Sequence, residues 1–430
     1  MIKRLLLLVW LSLPLAVSAE LVIEITQGVD NPTPMAVSPF SWSGTGALEE
    51  DVSAIIEANL SRSGLFDLLA RENMLSHPDK PQNVFYRDWR ALGREYLLIG
   101  SMTPVDDMVE VRYHLFDIVR QSTLLSYQLR ASRSGLRDLA HRISDQVFEK
   151  ITNIRGAFST KMLYVSASNL PNGQYNYQLY IADADGARPR RILNSDEPIL
   201  APAWSPDGKQ IAYVSFESSR PAVYRHVLAT GEREKLTSFP GINSSPAWSP
   251  DGRKMALSLS KDGSPDIYIL DLQSRQLRKI AANDLAIDTE PYWMPDGKSI
   301  VFTSNRGGQP QIYRADLVSG AVDRVTFEGR YNARARPMPD GSGLILVHQA
   351  GNGDFHIARF DQRSGRMHIL TSTQLDESPS IAANGSMVMY ATKRGEQGIL
   401  AAVSIDGRVK FSLPSHGRDV REPAWSPFFD

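Results

Sequence analysis

The 430-residue sequence contains no cysteine. Disulfide scaffolds, thiolate zinc sites, iron–sulfur clusters and cysteine nucleophiles are excluded together, so any chemistry must come from oxygen and imidazole groups. Neither sign of charge is in excess: 47 Lys and Arg stand against 48 Asp and Glu. Without a basic surplus to neutralise phosphates, no nucleic-acid partner is expected. Beyond the first twenty residues no apolar run approaches the length of a membrane-spanning helix. Catalytic fingerprints are missing as well. No Gly-x-Ser-x-Gly elbow, His-Glu-x-x-His, EF-hand loop or dinucleotide fingerprint occurs, and Gly44-Thr45-Gly46 lacks the third glycine and the lysine of a phosphate loop. The composition is 42% hydrophobic and 22% charged, too apolar for disorder, and the chain is too long for one ordinary core. Two domains are expected.

At the N-terminus, Lys3 and Arg4 precede an apolar run from Leu5 to Val17, and Val17-Ser18-Ala19 offers small residues where a signal peptidase reads. The run is too short to cross a hydrocarbon core, which argues against an uncleaved anchor. Residues 1–19 are therefore expected to be an export signal cleaved between Ala19 and Glu20. No cysteine follows to carry a lipid. The remaining chain has 45 basic and 48 acidic side chains.

The C-terminal two thirds repeats. Pro202-Ala203-Trp204-Ser205-Pro206-Asp207-Gly208 returns as Pro246-Ala247-Trp248-Ser249-Pro250-Asp251-Gly252 and as Pro291-Tyr292-Trp293-Met294-Pro295-Asp296-Gly297. Weaker copies end at Gly341 and Gly385, so the glycines are spaced by 44, 45, 44 and 44 residues. Each motif is followed by an apolar or alternating run. Four strands of about six residues with connections of about five fill such a period, the size of a propeller blade. Six middle strands can be counted, starting at Lys161, Lys209, Lys254, Lys298, Ser342 and Ser386. The first copy lacks a Pro-Trp strand, while Pro423-Ala424-Trp425-Ser426-Pro427 has no copy after it. The C-terminal strand is expected to close the ring by pairing into the first blade, removing two sheet edges. Pro-Asp-Gly reads as a turn, and the preceding Trp as a wedge between blades. Asp207, Asp251, Asp296 and Asp340 occupy the same turn of different blades, too far apart to converge on a metal.

From Glu20 to about Phe158 the repeat is absent. Strand patterns at 21–25, 35–40, 96–100, 108–116 and 122–131 accompany helical spacing at 48–60 and 136–151. The expected fold is an α/β N-terminal domain, a mixed sheet with two helices, over residues 20–158, followed by an all-β six-bladed β-propeller over 159–430.

Glu290, Asp376, Glu377, Arg421 and Glu422 fall near one mouth of the propeller channel. Propeller glycosidases converge acids and arginines there, so a hydrolase or lyase acting on an envelope polysaccharide is the alternative to a solvated or protein-binding rim. His226, His348 and His356 show no ligand spacing, and Asp183-Ala184-Asp185-Gly186 lacks the later ligands of a calcium loop. Neither a metal nor a cofactor is expected. The clusters around Arg188, Arg190 and Arg191 and around Arg330, Arg334 and Arg336 read as solvated blade edges.

The order of domains, the Pro-Ala-Trp-Ser-Pro-Asp-Gly repeat and the terminal Pro-Ala-Trp-Ser-Pro resemble the TolB family, periplasmic propeller proteins of the Tol–Pal envelope system. More specific are the start Glu20-Leu21-Val22-Ile23-Glu24-Ile25-Thr26-Gln27-Gly28-Val29-Asp30, the stretch Asp145 to Thr152, Gly156-Ala157-Phe158, Asp288-Thr289-Glu290-Pro291 and Leu375-Asp376-Glu377. The resemblance implies a non-catalytic monomer in the periplasm, associated with membranes only through its partners and serving envelope integrity and cell division. It implies that the channel mouth binds Pal, the peptidoglycan-associated lipoprotein. Loops preceding the inner strands supply the candidates Asp196, Glu197, Asn243, Ser244, Asp288, Thr289, Glu290, Asn332, Arg334, Asp376, Glu377, Arg421 and Glu422. It also implies that an arm of Glu20, Leu21, Val22, Ile23, Glu24, Ile25, Thr26, Gln27, Gly28, Val29, Asp30 and Asn31 binds the C-terminal domain of TolA.

Overall fold

A computed structural model describes residues 23–25, 31–170, 172–281, 285–351, 353–415 and 419–429. The expected cleavage site at Ala19 and Glu20 lies outside them, as do Leu21, Val22, Thr26, Gln27, Gly28, Val29 and Asp30 of the arm.

In chain order, the first elements are β1 (Ile23–Ile25), β2 (Thr33–Val37), β3 (Ser41–Trp42), α1 (Val52–Arg62), β4 (Phe66–Leu68), α2 (Tyr86–Ala91), β5 (Tyr96–Val105), β6 (Met108–Asp117), β7 (Ser122–Ser132) and α3 (Leu136–Thr152). The N-terminal sheet has the order β4-β2-β5-β6-β7, with β3 also on β5. It is mixed: β2 runs parallel to β4 and β5, while β5, β6 and β7 are antiparallel. Asp51 caps α1 by accepting the Ala54 N–H, and Asn153 ends α3 in the left-handed conformation that Asn tolerates. Val52, Ile55, Ile56 and Leu60 of α1 and Leu136, Leu139, Ile143 and Val147 of α3 pack on one face of the sheet. The opposite face carries Ala36, Leu97, Ile99 and Phe116, covered by Trp89 of α2 with Met74 and Val84. This third helix was not among the two expected, because six residues are too few to display a helical period.

The propeller has six blades. Blades two to five are consecutive four-stranded meanders with inner strands Ile199–Trp204, Asn243–Trp248, Asp288–Trp293 and Tyr331–Pro337. Blade six begins with Glu377–Ile381. In blade one the inner strand is Asp419–Trp425, paired antiparallel with Lys161–Asn169. The second strands, such as Ile211 to Ser215 and Ile300 to Ser304, are buried throughout because both sheet faces meet neighbouring blades. Indoles bridge the seams, since Trp204 Nε1 donates to the Ala424 carbonyl at 3.0 Å and Trp293 Nε1 to that of Ala247 at 3.1 Å. The repeated acids serve the turns: side chains of Asp207, Asp251, Asp296, Asp340 and Asn384 accept backbone N–H groups two residues on at 2.9–3.1 Å. Glycine follows each at φ +67° to +75°.

The N-terminal domain sits on the turn end of blades one and six. Asp145 of α3 accepts the Phe158 and Ser159 N–H groups at 2.7 and 3.2 Å, and a Cβ on Gly156 would lie 2.4 Å from the Asp145 Cα. The junction Gly156-Ala157-Phe158 therefore needs its glycine. A charge clasp joins the same surfaces. Asp183 accepts from Lys161 at 2.7 Å, Arg188 at 2.8 Å and Arg137 at 3.2 Å, and Asp185 from Arg137 at 2.5 Å with Arg62 at 3.4 Å. Arg188 also pairs with Asp138, so it is part of the domain seam and not a solvated blade edge. His141, Asp183 and Asp185 come close enough to suggest metal donors. Four cations already occupy those carboxylates, which leaves their lone pairs committed.

β1 does not join the N-terminal sheet. It adds antiparallel to the outer strand of blade six, Val409–Leu413, with Ile23 opposite Phe411 and Ile25 opposite Val409. Asn31 follows at φ +65°.

Candidate binding face at the channel mouth

Each inner strand starts at the end of the propeller away from the N-terminal domain and runs toward its Pro-Asp-Gly turn. Successive residues from that start have distinct environments, repeated around the ring. At the first level Ile199, Asn243, Asp288, Asn332, Asp376 and Val420 are all buried, at most 1% exposed. The polar members hold the preceding loops. Asn243 bridges the Phe239 N–H and carbonyl at 2.9 and 2.7 Å; Asn332 donates to Gln311 and to the Glu328 carbonyl, both at 2.7 Å. Asp376 accepts the Thr371 and Thr373 hydroxyls, and Asp288 accepts Arg306 at 2.6 Å. Burial pushes the Asp288 carboxyl up despite that arginine. Asn243, Asp288, Asn332 and Asp376 were expected to touch a partner; in this structure their side chains are buried, and all their polar atoms but the Asp288 Oδ1 oxygen make hydrogen bonds that shape the rim.

The next level carries Ser244, Thr289, Glu377 and Arg421, half-buried except Glu377, which is exposed. Asp196 and Glu197 are also exposed, on the loop between blades one and two.

At the third level the backbone changes hand. Ala201, Ser245, Glu290, Arg334, Ser378 and Glu422 all have φ between +48° and +56°, and each inner strand has its register shift there. A left-handed non-glycine residue costs roughly 1–2 kcal/mol, yet the repeat keeps it in every blade. This bulge re-aims one side chain per blade into the channel. Glu290 and Glu422 pair with Arg334 at 3.0 and 3.2 Å, and Arg334 also donates to Ser378. Glu290 further accepts the Arg334 N–H at 3.0 Å and the Thr303 hydroxyl at 2.9 Å. Glu422 chiefly, with Glu290, holds the Arg334 guanidinium charged. Arg334 and Arg336 line the channel, contrary to the expectation of solvated edges.

An apolar collar lies beside the expected contact residues and was not among them. Ile242, Ile287 and Leu375 immediately precede the buried level and are 39%, 51% and 38% exposed; Phe327, on the loop before blade five, is 72% exposed. Their spacing of 45 and then 88 residues matches one and then two repeat periods, a signal present in the sequence but overshadowed by the turn motif. Exposed apolar groups ringed by Glu377, Arg421 and Thr289 have the composition of a protein-binding patch.

Comparison with known proteins agrees with this architecture. The profile of the TolB amino-terminal domain matches residues 21–124, and that of the TolB beta propeller domain matches residues 148–429. The Tol-Pal system protein TolB of Alcanivorax borkumensis is 51% identical over 96% of this chain and 94% of its own length, and that of Pseudomonas aeruginosa 47% identical over 95% and 94%. The crystal structure of TolB from Acinetobacter baumannii superposes with a TM-score of 0.87 at 42% identity, covering 95% of this chain and all of that one. On both its domains, and along nearly its whole length, the chain belongs to the TolB family of Tol–Pal envelope-system proteins.

Proposed function

We propose that the protein is a non-catalytic periplasmic adaptor that binds Pal at the channel mouth and the C-terminal domain of TolA through its N-terminal arm, supporting outer-membrane integrity and constriction at division. Export would remove residues 1–19. The observation that carries the Pal assignment is the apolar collar of Ile242, Ile287, Leu375 and Phe327 around an ion-paired channel, at the end left open by the N-terminal domain. The carboxylate of Glu290 is engaged by Arg334 and Thr303 and that of Glu422 by Arg334, which suits a fixed docking surface better than acid–base chemistry on a polysaccharide.

The arm reading rests on β1. Its pairing with the edge of blade six covers three residues, little enough to exchange for a partner's sheet edge. Pal would influence TolA recruitment if it favoured one arm state, as linkage requires.

Calorimetry with purified Pal tests the rim. Replacing Ile242 and Leu375 together by serine should weaken binding by about tenfold to a hundredfold, the range for two central apolar contacts, with an unchanged melting temperature. Unchanged affinity would reject this face. Deleting residues 20–31 should abolish TolA binding, and retained binding would reject the arm.

A further inference from the structure

Beyond the ion-paired level the channel changes character. Two residues further along each inner strand stand Ala203, Ala247, Tyr292, Arg336, Ser380 and Ala424, and the prolines before the turns complete the wall. The whole channel, ion-paired level included, has a volume of about 330 Å³, room for a small organic ligand. Its single charge at this level is Arg336. The guanidinium lies over the Tyr292 ring at 4.8 Å and donates from Nη1 to the Ala335 carbonyl at 3.1 Å. It has no carboxylate within ion-pair distance among the described residues. Of the five N–H groups of an arginine fork, one is hydrogen-bonded among the described residues. Arg336 is half-buried in the channel wall, and a guanidinium so placed ordinarily has an anionic partner.

We propose that Arg336 and Tyr292 form a binding site for a small carboxylate inside the channel. The fork matches the two oxygens of a carboxylate bidentately, and the alanine and proline wall accepts a short apolar tail. Selectivity follows from the same groups. The neighbouring Glu290 and Glu422 are both held by Arg334, and with Arg336 included the four formal charges sum to zero, so long-range attraction is weak. Binding must come from the fork and the wall. A ligand as small as acetate then reaches a Kd of the order of millimolar.

The test is an acetate titration of the full chain at constant ionic strength in a carboxylate-free buffer, observed at the arginine Nε–H NMR resonances. The Arg336 resonance is identified by its absence from Arg336→Lys. Saturable movement of that resonance in the millimolar range, a tenfold or greater loss of the acetate-induced tryptophan fluorescence change in Arg336→Met, and no equal response to chloride are expected. A resonance that does not move, that moves without saturating, or that responds identically to chloride would overturn the proposal. The wild-type measurement stands even if Arg336→Met fails to fold.

Discussion

Asp183→Asn is the sharpest perturbation of the domain seam. The substitution keeps the volume and removes the charge on which Lys161, Arg188 and Arg137 converge within 2.7–3.2 Å. The Asp183 side chain is 3% exposed. Removing one partner of a fully buried pair costs about 3–5 kcal/mol. Lys161 and Arg188, however, are 28% and 36% exposed, so water answers part of their charge, and about 2–3 kcal/mol is expected. Urea unfolding of the full chain at pH 7, followed by proteolysis of the 153–160 junction, measures it. Two domains need not unfold together, so the comparison is of the transition that releases the junction. The pH dependence adds a second check. Burial opposes ionisation of Asp183, but His141, Arg188 and Lys161 outweigh it and hold the carboxyl well below the usual range. A depressed folded-state pKa stabilises at pH above the unfolded value of about 3.9. The difference between wild type and variant should therefore shrink by about 1.4 kcal/mol per unit as the pH falls below about 3.9. A difference under about 0.5 kcal/mol at pH 7, within ordinary surface-substitution effects, or one that grows in acid, would refute the reasoning.

Gly156→Ala should destabilise the seam by about 1–3 kcal/mol, because its Cβ would meet Asp145 backbone that cannot yield; the same urea transition measures it. Trp293→Phe removes the indole donor to Ala247 and should cost about 1–3 kcal/mol, read as a lowered denaturation midpoint with an unchanged slope. Deleting residues 419–430 strips the inner strand from Lys161–Asn169 and the Phe429 contact with Trp204. The truncated chain should melt lower and self-associate on light scattering. N-terminal sequencing of exported material should begin at Glu20, and recovery of Met1 would contradict the export reading.

The six blades were legible because a 44-residue period survives substitution: an Asp-Gly or Asn-Gly turn returns at Gly208, Gly252, Gly297, Gly341 and Gly385, and Trp204, Trp248, Trp293 and Trp425 recur at one position of the inner strand. The mixed sheet and the two long helices of the N-terminal domain were legible for a similar reason, since α1 and α3 each show a full apolar stripe. Other features depended on three-dimensional placement. Asn243, Asp288, Asn332 and Asp376 are loop polar residues by sequence, and only the fold reveals that they are turned inward. Ala201, Ser245, Glu290, Arg334, Ser378 and Glu422 share a left-handed backbone while sharing no chemistry, so no composition rule groups them. The clasp is assembled from Arg62, Arg137, Asp183 and Arg188, which lie up to 126 residues apart. The edge that receives β1 is nearly 400 residues away in sequence, beyond the reach of any local pattern.

The most direct test of the central claim is a hydrogen-exchange footprint of Pal on the full chain. Protection is predicted in the rim segments 239–245, 285–290, 327–334 and 373–378, with none at the Pro-Asp-Gly turns. Protection confined to the turn end or to the outer strands, with these rim segments unchanged, would contradict the account.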